Sequence, residues 1–107
     1  MMAALAEGLA LADAAGLDAD TLLGVLDMGA MANPMFSLKG PAMAEGRHPP
    51  AFPLKHQLKD LRLSAALAAE VGARAPAAAA AEALYAEAAA AGHGDADFSA
   101  VLEALRR

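Results

Sequence analysis

The chain has 107 residues, a formal net charge of -5 and no cysteine, which bounds it to one domain and excludes a disulfide framework or a thiolate metal site. Hydrophobic residues make up 58%, but 33 residues are alanine, so the bulk of a core must come from Leu, Met, Val and three Phe. The acidic balance argues against nucleic acid or a membrane surface as partner, and no segment approaches the roughly 20 uncharged apolar residues of a membrane span.

Alanine is the strongest helix former, and β-branched residues are scarce, with one Thr, three Val and no Ile. The expected fold class is therefore all-α, and Gly, Pro and Asp/Asn punctuation divides the chain into about five helical pieces. The first helix is expected over Met1–Ala15, with Met1, Leu5, Leu9 and Ala12 on one face and Gly16 as its stop. MMAALAEGLALADAAG resembles a signal peptide only superficially: it has no basic start, and Glu7 and Asp13 interrupt its apolar run. It opens without an N-cap, which suggests the tail of a longer helix.

Asp18 is placed to cap a second helix that carries Leu22, Val25 and Leu26 and ends at Gly29. From Ala30 to Pro53 the chain is punctuated by Asn33, Pro34, Gly40, Pro41, Gly46, Pro49 and Pro50, and reads as short helical turns suited to functional contacts. A long helix follows over Leu54–Val71, closed by Gly72, and Pro76 opens another that runs to Ala91. HGDAD is a connector in which Asp95 or Asp97 caps a last helix, Phe98–Arg106.

The stretch AFPLKHQLKDLRL (51–63) concentrates positive charge in an acidic chain. On a helix, Leu54, Leu58, Leu61, Ala65 and Ala68 make a buried face, and Lys55, Lys59 and Arg62 align beside it within about 60°. Such a stripe is either a solvated face paired with nearby acids such as Asp60 or Glu70, or the border of a cleft that holds an anion. Spacing alone leaves both open. His48, His56 and His93 lie in different elements without metal-ligand spacing, so no metal site is expected. Ser37, Ser64 and Ser99 lack a nucleophile-elbow context, and no phosphate-cradling glycine motif occurs. Met28, Met31, Met35 and Met43 read as adaptable core. Phe52, between Pro50 and Pro53, is held extended, with its ring either presented to a pocket or plugging the core.

GAMANPMFSLKGPAM (29–43), AFPLKHQLKDLRLSAAL (51–67) and HGDADFSAVLEAL (93–105) together resemble the C-terminal helical domain of the β-hydroxyacid dehydrogenases. These 3-hydroxyisobutyrate dehydrogenase-like enzymes share a helical domain similar to that of 6-phosphogluconate dehydrogenase. Within the family the resemblance is to the branch of glyoxylate/succinic semialdehyde reductases. It covers the whole chain in order; KDLRL is family-wide, whereas NPMFSLKGP and FPLKH belong to this branch.

The resemblance implies an NADP(H)-dependent oxidoreductase that reduces a small aldehyde to a hydroxy acid. Residues 1–107 would then form the C-terminal substrate-capping and dimerisation domain, with 1–15 as the tail of the interdomain helix. The Rossmann domain, which would bind most of the cofactor, and the catalytic lysine and asparagine would lie upstream of Met1. This stretch would therefore carry no catalytic residue and be inactive alone. By matching position, Lys59 would contact the cofactor, Asp60 would help hold the site together and Phe52 would line the substrate pocket. Lys55 has no such match, and the solvated reading stands for Arg62. The alternative is a non-catalytic helical dimerisation module derived from the same family. Neither the compartment nor the preferred aldehyde is legible.

Overall fold

In a computed structural model, which describes residues 1–106, the chain is helical, and its nearest approach to a strand is one isolated bridge between Pro53 and Asp97. The α-helices are α1 (Met2–Ala14), α2 (Ala19–Met28), α3 (Pro34–Ala44), α4 (Leu54–Val71) and α5 (Pro76–Ala88). A kinked segment (Ala89–His93), broken at Gly92, and a 3-10 helix (Phe98–Ala104) follow.

Local chemistry sets the boundaries. Asp18 accepts from the Thr21 amide at the start of α2, and Asn33 accepts from the Phe36 amide at the start of α3, each satisfying a donor that the helix leaves free. Gly72 ends α4 in the left-handed region at φ 70°, a conformation that costs a residue with a Cβ. The α1 start has no side-chain cap.

Three expectations are corrected. The 30–53 region is not only short turns, because it contains the 11-residue α3. Pro34 occupies the first turn, where its missing N–H costs nothing, and the helix continues through Pro41 to Ala44 despite the donor that proline lacks. The α-geometry of α5 stops at Ala88 rather than Ala91, since Gly92 turns to φ 98°. The last element is 3-10, not α, and ends at Ala104.

The core is built from Leu5 and Leu9 of α1, Phe36 and Met43 of α3, Leu54 and Leu58 of α4, Tyr85 of α5, and Val101 and Leu102 of the 3-10 helix. Each fully buried Leu or Val contributes about 1.5–3 kcal/mol. The 3-10 helix is the hub, packing against α1, α3, α4 and α5. On α1 the buried methionine is Met2, and Met1 is exposed. Only Leu54 and Leu58 of the expected α4 face are buried; Leu61, Ala65 and Ala68 are half-buried. The main partner of α4 is α5, whose small alanines leave that face of α4 incompletely covered. Among the grouped methionines only Met43 is core, whereas Met28 and Met31 are exposed.

Candidate functional site

The three motif segments, far apart in sequence, meet at one carboxylate. Asp97 is fully buried. Its Oδ2 accepts from the Ser99 amide at 3.1 Å, the ordinary cap of the 3-10 helix. Its Oδ1 accepts from Lys39 Nζ at 2.9 Å, the Ala51 amide at 3.1 Å and the Phe52 amide at 3.2 Å. Backbone bonds lace the same strands of chain together. Asp97 N donates to the His48 carbonyl, Phe98 N to the Phe52 carbonyl, Leu54 N to the Ala96 carbonyl and Lys55 N to the Gly94 carbonyl.

Burial pushes the Asp97 carboxyl up, but Lys39 and the Phe52 and Ser99 hydrogen bonds together outweigh it and hold the group at about 2. Asp97 is thus a buried, ionised acceptor with a cation beside it. Lys39 is largely buried and also lies 5.5 Å from the centre of the Phe98 ring. Tyr85 is buried beneath this region, and its Oη has no protein hydrogen-bond partner. Burial, then the Asp97 charge, push its hydroxyl above the usual phenol range.

Phe52 itself is 39% exposed. Its ring meets Phe98 edge-on at 5.9 Å and lies 6.1 Å from the His56 ring. It is presented at the surface, not plugged into the core. A second polar group clamps the preceding residues: His48 Nε2 donates to Glu103 Oε1 at 2.9 Å, and Nδ1 lies 3.0 Å from Ser99 Oγ. Sequence reasoning missed Lys39, Ser99, Glu103 and His48 as a group, and saw Asp97 only as a cap. The one available signal was an acid directly before an aromatic in HGDADF, opposite a lysine in a proline-flanked helix.

The basic stripe is differently arranged. Lys55 donates to Asp95 Oδ1 at 2.5 Å, Lys59 lies 3.0 Å from its neighbour Asp60, and Arg62 lies 3.4 Å from Glu82 of α5. The Lys55 hydrogen bond and charge lower the Asp95 carboxyl. All three cations are more than half exposed, so each has an acid and open access to solvent.

A cavity of about 160 Å³ opens beside the start of α1, lined by Met1, Met2, Gln57, Leu61, Tyr85 and Phe98. Gln57 and Leu61 lie about 160° around α4 from Lys59. Lys59 therefore does not face this cavity; it offers its ammonium on the opposite, solvent side of the helix. Phe52 reaches the cavity only through its contact with Phe98.

For a dinucleotide, two kinds of contact matter. Lys59 presents an exposed ammonium that can donate to a nucleotide oxygen. A pyrophosphate needs free backbone N–H groups at a helix start. Here Asp18 takes the Thr21 amide of α2, Asn33 takes the Phe36 amide of α3, and the Ala96 and Gly94 carbonyls take those of Leu54 and Lys55 at the start of α4, whereas the starts of α1 and α5 have no side-chain cap. Among the described residues no three His, Cys, Asp or Glu side chains converge on a metal position.

Comparison with known proteins gives these features a family. Residues 1–105 match the profile described as NAD-binding of NADP-dependent 3-hydroxyisobutyrate dehydrogenase. The chain is 57% identical over 106 residues to glyoxylate/succinic semialdehyde reductase 1 of Arabidopsis thaliana, which covers 99% of this chain and 37% of that protein. It is 42% identical over 103 residues to the human cytokine-like nuclear factor N-PAC, covering 96% of this chain and 19% of that one. A crystal structure of 3-hydroxyisobutyrate dehydrogenase from Salmonella typhimurium superposes with a TM-score of 0.89 at 32% identity, over 95% of this chain and 36% of the other. The chain thus spans little more than a third of the reductase and of the dehydrogenase it matches. With its profile matched from end to end and its helices arranged as in a solved member, the chain belongs to the 3-hydroxyisobutyrate dehydrogenase family.

Proposed function

We propose that this chain is the C-terminal helical domain of an NADP-dependent reductase acting on small aldehydes such as glyoxylate and succinic semialdehyde. In this reading it caps the substrate cleft and forms the dimer, while a Rossmann domain and the catalytic lysine come from outside these residues. The observation that carries it is the 57% identity to a glyoxylate/succinic semialdehyde reductase across 99% of the chain. That exceeds the 42% shared with the nuclear factor, so the enzymatic reading is preferred to a non-catalytic module.

NADPH, when bound, supplies the hydride. The roles left to this chain are binding and exclusion of water. Lys59 would donate to a nucleotide oxygen from its exposed position, with Asp60 restraining its ammonium. Phe52 would set an apolar wall against the aldehyde and keep water from it. Exposed apolar residues on the outer side of α4, Leu63, Leu67 and Val71, suit the proposed dimer contact, because an apolar helix face of this kind is buried in stable assemblies.

The test is NADPH oxidation, followed by loss of the reduced nicotinamide's absorbance. The 107 residues alone should give no turnover with glyoxylate, and the same residues joined to the family's dinucleotide-binding domain should reduce it. Turnover by the isolated chain, or none by the joined protein, would overturn the proposal.

A further inference from the structure

We propose that Lys39 and Asp97 are a positioning pair, whose buried carboxylate fixes the Ala51–Pro53 turn and so sets the Phe52 ring at the substrate wall. This rests on the reading of Phe52 as a substrate-lining residue.

A helix cap needs one acceptor oxygen, and Oδ2 of Asp97 supplies it to Ser99. Nothing in capping requires the second oxygen to take three further donors. Two of those are consecutive amides, Ala51 and Phe52, and they belong to a turn that presents an exposed aromatic ring, that of Phe52. Pro50 and Pro53 fix their own φ and hold the residues before them extended. The turn is thereby stiff, but stiffness does not choose where it sits; the two hydrogen bonds to Asp97 do. Phe98, next to Asp97, then meets the Phe52 ring edge-on, so one short segment sets both the backbone and the ring.

Lys39 makes this arrangement possible. An ionised carboxylate without a countercharge is costly at a fully buried site. Lys39 neutralises it from α3 and rests against the Phe98 ring on which Phe52 packs. Neither Lys39 nor Asp97 touches a position that a substrate would occupy in this reading, so their effect passes through Phe52.

The experiment has two arms, with Asp97→Asn and Lys39→Met, and Lys39→Arg as the conservative variant. The first arm is amide hydrogen exchange by NMR on the chain itself. In the wild type, Ala51 and Phe52 should exchange at least tenfold more slowly than Arg74, an exposed residue of the connection between α4 and α5. In Asp97→Asn that protection should fall at least tenfold and the Phe52–Phe98 ring contact should weaken, while Leu5 and Leu9 of α1 stay protected. Should a variant not fold, the wild-type comparison still decides: Ala51 and Phe52 exchanging as fast as Arg74 would overturn the proposal. So would unchanged protection in both folded variants.

The second arm is kinetics in the complete reductase. Aldehyde KM should rise at least fivefold in Lys39→Met with NADPH KM unchanged, and Lys39→Arg should restore it. A loosened Phe52 with unchanged aldehyde KM would overturn the proposal through the role given to Phe52. Absence of all reductase activity in the wild type would instead defeat the functional reading, and leave the exchange result to judge the clamp.

Discussion

Lys39–Asp97 and Lys59–Asp60 are the same chemical pair at almost the same separation, 2.9 and 3.0 Å. Their surroundings differ. The first pair is 13% and 0% exposed, the second 61% and 48%. In the first, Asp97 also receives three amides from two segments of chain; in the second, the partners are neighbours in sequence and hold nothing else together. Distance therefore says little about what an ion pair does. Burial and the number of segments tied to it decide whether it organises structure or stays available to a ligand.

The largest effect should come from breaking the buried pair. Asp97→Ala strands Lys39 and the Ala51, Phe52 and Ser99 amides, and should cost about 3–5 kcal/mol, measured by urea unfolding. A loss below about 1 kcal/mol, the range of exposed pairs, would erase the contrast.

Acid should reveal the same difference. Asp97 is held at about 2 against an ordinary 3.8. Its folded-state value is lowered, so its stabilisation is present above 3.8 and is lost as pH falls toward 2. This group should contribute roughly 2 kcal/mol over that window, and stability measured from pH 5 to 2 should fall less steeply in Asp97→Asn.

Asn33→Ala sharpens the comparison from the side of α3, the helix that carries Lys39. Losing the bond to the Phe36 amide should cost about 1 kcal/mol in thermal unfolding without releasing the Phe52 amide. Smallest of all, Lys59→Ala should change stability by less than about 0.5 kcal/mol in the same assay. A larger loss would mean that Lys59 supports the fold and is not held in reserve for a ligand.

Much of this was legible in the sequence because it depends on local chemistry. Asp18, Gly72 and Pro76 mark helix ends by rules that act within a few residues, and the structure follows them. Tertiary packing was less visible. The α4 periodicity predicts one buried face along its length, but only its first turns reach the core, since the rest lies on an alanine-rich partner. Pro34 and Pro41 look like breakers, yet Pro34 opens α3 from its first turn and the helix runs on through Pro41 to Ala44. The Asp97 node was hidden for a related reason: its partners lie 58, 46 and 45 residues away, and nothing in the spacing of Lys39, Ala51 and Phe52 marks a shared acceptor. The stripe of Lys55, Lys59 and Arg62 was conspicuous, yet each of its cations is matched by a surface acid.

The central claim is that Phe52 and Lys59 serve two different ligands of one reductase, and steady-state kinetics of the complete protein with Phe52→Ala and Lys59→Ala tests it most directly. The expected pattern is crossed: Phe52→Ala raises the KM for the aldehyde and spares that for NADPH, and Lys59→Ala does the reverse. Two variants that leave both constants at wild-type values, or that move both together, would contradict it.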